Sequence, residues 1–187
     1  MRVEFLLEEK SMENFLEVVL PKILPADYHL GVNCFLRAHD GKTDLMDSIP
    51  RKIKTFSAFY EPAKIVIIHD QHSFDCKELK NKITELCTRN GTCPVLIRLA
   101  CRELESWYIG DLDAVEQAYP KTNASKLKAK QKYRNPDKLE AAEELSKLTK
   151  DFQKGEASKN IPKHMVLENN NSKSFNVFIT GLKRFLV

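Results

Sequence analysis

The chain reads as an α/β protein built on a central parallel sheet of about four strands flanked by helices, and three observations lead there. The first is the run Ile65, Val66, Ile67, Ile68 within KIVIIHDQHSFDC. Consecutive β-branched residues favour a strand, and one apolar on both faces belongs in a parallel sheet covered by helices. The second is that Val3–Leu7 and Pro94–Cys101 are also apolar runs that end in acidic residues. The third is rhythm: strand-like runs alternate with stretches of helical periodicity, which implies right-handed crossovers.

Taken in order, Val3–Leu7 is the first expected strand. Ser11 follows as a candidate N-cap, and Phe15, Val18, Val19 and Ile23 recur at helical spacing until Pro21 and Pro25 end the helix. His29–Arg37 reads as the second strand, Ala38–Asp44 as a polar loop, and Asp47–Tyr60 as a helix. Lys64–Ile68 is the third strand, leading into a helix over Phe74–Thr88 with the apolar stripe Cys76, Leu79, Ile83 and Leu86. Asn90–Gly91 turns the chain into the fourth strand, Pro94–Cys101. Beyond it the pattern is helical only. Short helices are expected over Glu103–Ile109 and Leu112–Tyr119, and another from the Asn135–Pro136 cap to Lys150. The last starts near Ser172 and aligns Phe175, Phe178, Ile179, Leu182, Phe185 and Leu186, a face apolar enough to require docking on the sheet. The expected organisation is a core over residues 1–110 with a helical extension over 111–187 packed on it as a single domain.

Composition permits this and decides little. At 187 residues, 42% hydrophobic and 30% charged, the chain can bury a real core, and disorder is excluded. A net charge of +4 is weak evidence for a polyanionic partner. No apolar run is long enough to span a bilayer, and the N-terminus enters a strand directly, with no secretory signal pattern. Five cysteines without a CxxC spacing fit reduced thiols and a cytoplasmic location.

The candidate chemistry sits where the strands end. Ligands in parallel sheets bind outside the carboxyl ends of the strands. Glu8 and Glu9 follow the first strand, His69, Asp70 and His72 the third, and Glu103 and Glu105 the fourth. Carboxylates delivered by three strand ends suit a divalent metal, so Glu8, Asp70 and one of Glu103 or Glu105 are expected to converge. Asp75, at the start of an apolar helical stripe, is expected to cap that helix, and Trp107 to anchor the core. Glu9, His39 and His164 read as surface residues, and His69 as a hydrogen-bonding partner at the sheet edge. Lys42, in the loop HDGKTDL, is either an unremarkable lysine of a glycine-containing turn or one that reaches a phosphate from the second strand end. Lys121–Arg134 carries six basic residues (Lys121, Lys126, Lys128, Lys130, Lys132 and Arg134) and no acid. Such a run is either a solvated face or a nucleic-acid contact driven by counterion release.

LLEEKSMENFL, HDGKTDL, IIHDQHSFDCKELK and CRELESWYIGD, in that order, resemble successive motifs of a bacterial Toprim-like family catalogued as domain of unknown function 4276. The resemblance continues through FQKGEASKNIPKHM to NSKSFNVFITGL. It places the first motif's glutamate on Glu8 and the third motif's residues on Asp70, His72, Asp75 and Cys76. The glutamate-leucine-glutamate and tryptophan of the fourth fall on Glu103, Leu104, Glu105 and Trp107. Two positions depart from the pattern: Glu9 stands where the first motif has glycine, and His72 stands where the second Toprim aspartate is expected.

The resemblance implies Mg²⁺ or Mn²⁺ held against a phosphodiester, with Asp70 as central ligand and Glu8 as base or second ligand. Glu105 or Glu103 would complete the shell, and His72 would accept a softer metal, orient a water or mark a lost activity. Two functions follow. One is a metal-dependent nuclease acting on DNA or RNA in phage or mobile-element defence, with an ABC- or AAA-type ATPase partner. The other is a catalytically impaired nucleic-acid-binding or regulatory module. No Walker-type loop supports nucleotide hydrolysis.

Overall fold

The computed structural model describes residues 1–61 and 63–187. A four-stranded, all-parallel sheet forms the centre, in the order β2-β1-β3-β4, from β1 (Val3–Leu7), β2 (Cys34–Ala38), β3 (Lys64–Asp70) and β4 (Val95–Ala100). Between them run α1 (Lys10–Val19), α2 (Lys42–Ser57) and α3 (Cys76–Asn90). After β4 come α4 (Glu105–Ile109), α5 (Leu112–Ala118), α6 (Ala141–Leu148), α7 (Lys154–His164) and α8 (Lys173–Leu186). The fold is α/β, consistent with a Rossmann-like or Toprim-like arrangement.

Strand alternation divides the core. Val3, Phe5, Leu7, Val66 and Ile68 join one apolar cluster with α1, α4, α5 and α8. Leu6, Ile65 and Ile67 face a second cluster with α2 and α3. The last helix docks on β4, as its apolar face requires. Trp107 is fully buried and stacks on Phe178 at 5.1 Å and 12°, with Phe15 and Phe175 around it. Trp107→Ala should destabilise the protein by about 3–5 kcal/mol in chemical denaturation. A loss under 1 kcal/mol would mean the aromatic cluster is not the anchor it resembles.

The structure corrects several local expectations. The second strand begins at Cys34 rather than His29, because His29–Asn33 is a turn. There Gly31 adopts φ 78°, the Asn33 side chain bonds the His29 amide and the Asp27 carbonyl, and the Cys34 amide donates to the His29 carbonyl. The next helix begins five residues early, at Lys42 instead of Asp47, since Gly41 turns sharply at φ 92°. Ser11 does not cap α1: Glu9 holds the cap position and accepts a hydrogen bond from the buried Ser11 hydroxyl. The helix expected from Pro136 to Lys150 is a single turn over Pro136–Lys138 followed by the shorter α6. Asp137 is drawn off to accept from the Ser172 and Ser174 hydroxyls and the Ser174 amide at the start of α8. The polar helix α7 has no expected counterpart. It buries only Ala157, Ser158, Ile161 and Pro162, a stripe too thin to stand out in sequence.

Candidate functional site

Strand order sets where the site lies. From β1 the chain moves outward to β2 on one side, and from β3 outward to β4 on the other, so the topological switch point falls between the carboxyl ends of β1 and β3. Leu7 is in register with Ile68, which brings Glu8 beside the end of β3. Glu8 is buried, and the groups that meet its carboxylate come from that end. Its Oε2 accepts from the Asp70 amide at 2.9 Å and lies 2.9 Å from His69 Nδ1, and its Oε1 lies 2.9 Å from His72 Nε2. Burial alone would raise the Glu8 carboxyl. The hydrogen bond and charge of His69, with His72 and the Asp70 amide, outweigh it and hold the group at about 2.

Asp70 projects from β3 onto the opposite side, following Val66 and Ile68. It is 2% exposed, and its Oδ1 has no hydrogen-bond partner among the described residues. Burial, then the charges of Glu8, Glu105 and Glu9, push its pKa well above the ordinary carboxylate range against the pull of Lys154. One ligand atom each from Glu8, Asp70 and His72 lie within 4.8 Å of one another.

Glu105, the first residue of α4, is fully buried, with neither carboxylate oxygen hydrogen-bonded among the described residues. Its nearest cation is Lys154 Nζ, 3.6 Å from Oε1. Burial raises it to about 7, opposed by Lys154 and helped by the charges of Glu103 and Glu9. The hydroxyl of Tyr108 is also buried without a hydrogen-bond partner among the described residues, and burial with the charges of Glu105 and Asp70 pushes it well upward. Glu103 goes elsewhere: its Oε1 accepts from the Ala142 amide at 2.7 Å in the first turn of α6. Of the two glutamates after the fourth strand, Glu105 is the one whose oxygens are buried with no hydrogen-bond partner among the described residues.

The loops holding these groups are laced together. Gln71 N donates to the Ala100 carbonyl, His72 N to the Arg102 carbonyl at 2.7 Å, and Arg102 N to the Gln71 side chain at 3.1 Å. His72 and Arg102 both take left-handed conformations, φ 52° and 60°, which non-glycine residues adopt rarely and at a cost. That crossing presents His72 to Glu8. Asp75 caps α3 by accepting from the Lys77 and Glu78 amides.

The remaining expected residues spread outward. Lys42 opens α2, with Nζ 5.2 Å from the Phe74 ring centroid, beside a cavity that His69 also borders. Lys126, Lys128, Lys130, Lys132 and Arg134 are all exposed on short 3₁₀ turns. Lys128 pairs with Asp113 and Lys132 with Glu144 at 2.6 Å, while Lys126, Lys130 and Arg134 form no ion pair among the described residues. Arg134 lines a cavity with Gln71, Lys138 and Lys173, which brings the end of the basic run to the loop that carries His72. His39, expected at the surface, is buried: Nδ1 donates to the Leu7 carbonyl and Nε2 meets the Ser48 hydroxyl. Glu9, also expected at the surface, is half-buried.

Sequence reasoning passed over Lys154, because it lies on the unforeseen α7. It also gave Gln71 and Arg102 no role, because their parts are played by backbone and amide. Gly155 and Pro162 in FQKGEASKNIPKHM break the helical pattern of that segment.

Among the described residues, no helix is long and apolar enough to cross a membrane, and all five cysteines are unbridged. No curated protein and no solved structure matches the chain. A family model does match, described as Domain of unknown function (DUF4276), over residues 7–183. That span contains Glu8, Asp70, His72, Glu105 and the helices that bury them, and the chain belongs to this family.

Proposed function

We propose that the protein is a divalent-metal-dependent phosphodiesterase acting on DNA or RNA. The observation that carries this reading is the convergence of Glu8, Asp70 and His72 at the switch point, with Asp70 Oδ1 and both Glu105 oxygens buried and without a hydrogen-bond partner among the described residues. Buried carboxylate oxygens without a donor are costly, and a hard cation is the partner that relieves them. The donor set fits Mg²⁺ or Mn²⁺: oxygens from Asp70 and Glu8, with His72 favouring the metal that better tolerates nitrogen. When bound at Asp70 and Glu8, such an ion would neutralise charge on the scissile phosphate and its leaving oxygen.

The protein's own groups take distinct parts. Glu8, held at about 2, stays ionised at neutral pH and is a poor base, so its part is to supply a fixed negative charge and orient His69 and His72. Glu105, held near 7, is matched to taking a proton from water at physiological pH. Lys154 limits the charge repulsion between Glu105 and Asp70. Lys126, Lys130 and Arg134 attract the nucleic-acid backbone toward the Gln71–Arg134 cavity.

A second reading has its own support. His72 Nε2 lies 2.9 Å from Glu8 Oε1, so both Glu8 oxygens are already engaged. Such a site would suit a non-catalytic nucleic-acid-binding or regulatory module. A cytoplasmic role in phage or mobile-element defence beside an ATPase partner rests on the family resemblance alone.

The test is cleavage of single- and double-stranded DNA and of RNA with Mg²⁺ and Mn²⁺, with and without an ATPase partner. Mn²⁺-preferring cleavage is expected. Complete inactivity of wild type and His72→Asp under every condition would favour the module. In a binding assay without metal, replacing Lys126, Lys130 and Arg134 together with glutamine should lower affinity and reduce the salt slope by about three contacts. An unchanged slope would return the run to plain solvated surface.

A further inference from the structure

The cavity between α2 and α3 has no part in the chemistry above. It encloses about 380 Å³, within the range of small-ligand sites. Phe74, Met46 and Leu79 give it apolar walls, and Lys42 and Lys82 border it with no ion pair among the described residues. Phe74 is 44% exposed, and the Lys42 ammonium stands 5.2 Å from its ring centroid. The inner wall is His69. This side chain follows Ile65 and Ile67 onto the α2–α3 side of the sheet, and its Nδ1 lies 2.9 Å from Glu8 Oε2. One imidazole therefore separates the cavity from the carboxylate site.

We infer that this cavity binds the unstacked base of a single-stranded nucleic acid, that of the nucleotide adjoining the phosphodiester held at Glu8 and Asp70. The inference rests on the phosphodiesterase reading and names its substrate class. An exposed aromatic face flanked by a lysine is a stacking platform that accepts any base, while the lysines meet the backbone phosphate. Duplex bases are stacked and paired and offer no face to Phe74 without being flipped out. Asp47 and Glu78 also line the cavity. They repel a bare anion and accept hydrogen bonds from exocyclic amines and sugar hydroxyls, so the lining suits a base with its sugar better than inorganic phosphate.

The experiment measures fluorescence anisotropy of a labelled hexanucleotide single strand in EDTA. A set of strands with one abasic position each is run against wild type and Phe74→Ala. One abasic position is expected to weaken wild-type binding roughly tenfold or more, the usual effect of one lost base–aromatic stack. Phe74→Ala should weaken the intact strand by a similar factor and become indifferent to that position. Wild-type indifference to every abasic position would overturn the inference. So would a Phe74→Ala variant that keeps the sensitivity, or a wild type that binds no single strand. Because binding is read without metal, the catalytic reading fails separately. Base-dependent binding through Phe74 with no cleavage under any metal would uphold the cavity as a base site and leave the nuclease activity refuted.

Discussion

Asp70→Asn is expected to lower Mn²⁺-dependent cleavage by at least about 100-fold while leaving the metal-free protein as stable as wild type or more so. Both halves follow from one fact. The Asp70 carboxylate is buried beside the charges of Glu8 and Glu105, with Oδ1 lacking a hydrogen-bond partner among the described residues, so its charge is unfavourable in the metal-free fold. Asparagine keeps the shape and removes the charge. Loss of activity together with loss of folding would instead mark Asp70 as structural, and activity that survives the change would point to another site or a contaminant. His72→Asp is the companion variant. Aspartate is among the few residues that tolerate the left-handed conformation at φ 52°, and it restores a carboxylate for the harder ion. Cleavage with Mg²⁺ should be preserved or raised. A variant that folds, binds nucleic acid and loses activity with both metals would show that the imidazole itself is needed.

Glu105→Gln should stabilise the metal-free protein at pH 8 and leave it nearly unchanged below pH 5. Burial raises this carboxyl from its ordinary 4.5 to about 7. A folded-state value above the unfolded one means that the group's contribution is fully present below about 4.5 and is lost as pH rises through 7. The shift corresponds to stability on the order of 3 kcal/mol lost across that interval, or several degrees in melting temperature. Asp70, also raised, acts in the same direction. Glu8 acts oppositely: held at about 2, its contribution is present above 4.5 and is lost as pH falls toward 2. Wild type should therefore melt highest in mildly acidic buffer. Mn²⁺ should raise its melting temperature more at pH 8 than at pH 5, because the ligands must be deprotonated to bind. A metal-free melting temperature that rises steadily from pH 5 to 8, or a Glu105→Gln variant less stable than wild type at pH 8, would contradict this electrostatic picture.

Residue order alone was enough for the parallel sheet, since a run such as Ile65–Ile68 can satisfy its apolar side chains only when covered on both faces. It also sufficed for the Asp75 cap, the docking of the last helix and the burial of Trp107, each of which depends on local spacing or sheer apolar bulk. The strand ends that carry Glu8 and Asp70 were legible for the same reason. What local pattern does not contain is partnership across the chain. Glu103 and Glu105 stand two residues apart in similar surroundings, yet one is taken by the Ala142 amide and the other is sealed in with Lys154. His39 looked like surface until β1 and α2 enclosed it, and α7 became a helix only because α1 and α5 offered its thin apolar stripe a place to pack. Long-range packing decides which carboxylate is spent on a helix cap and which is left without a donor. Desolvation, set by that packing and not by residue type, is what moves Glu105 toward 7 while the imidazoles hold Glu8 near 2.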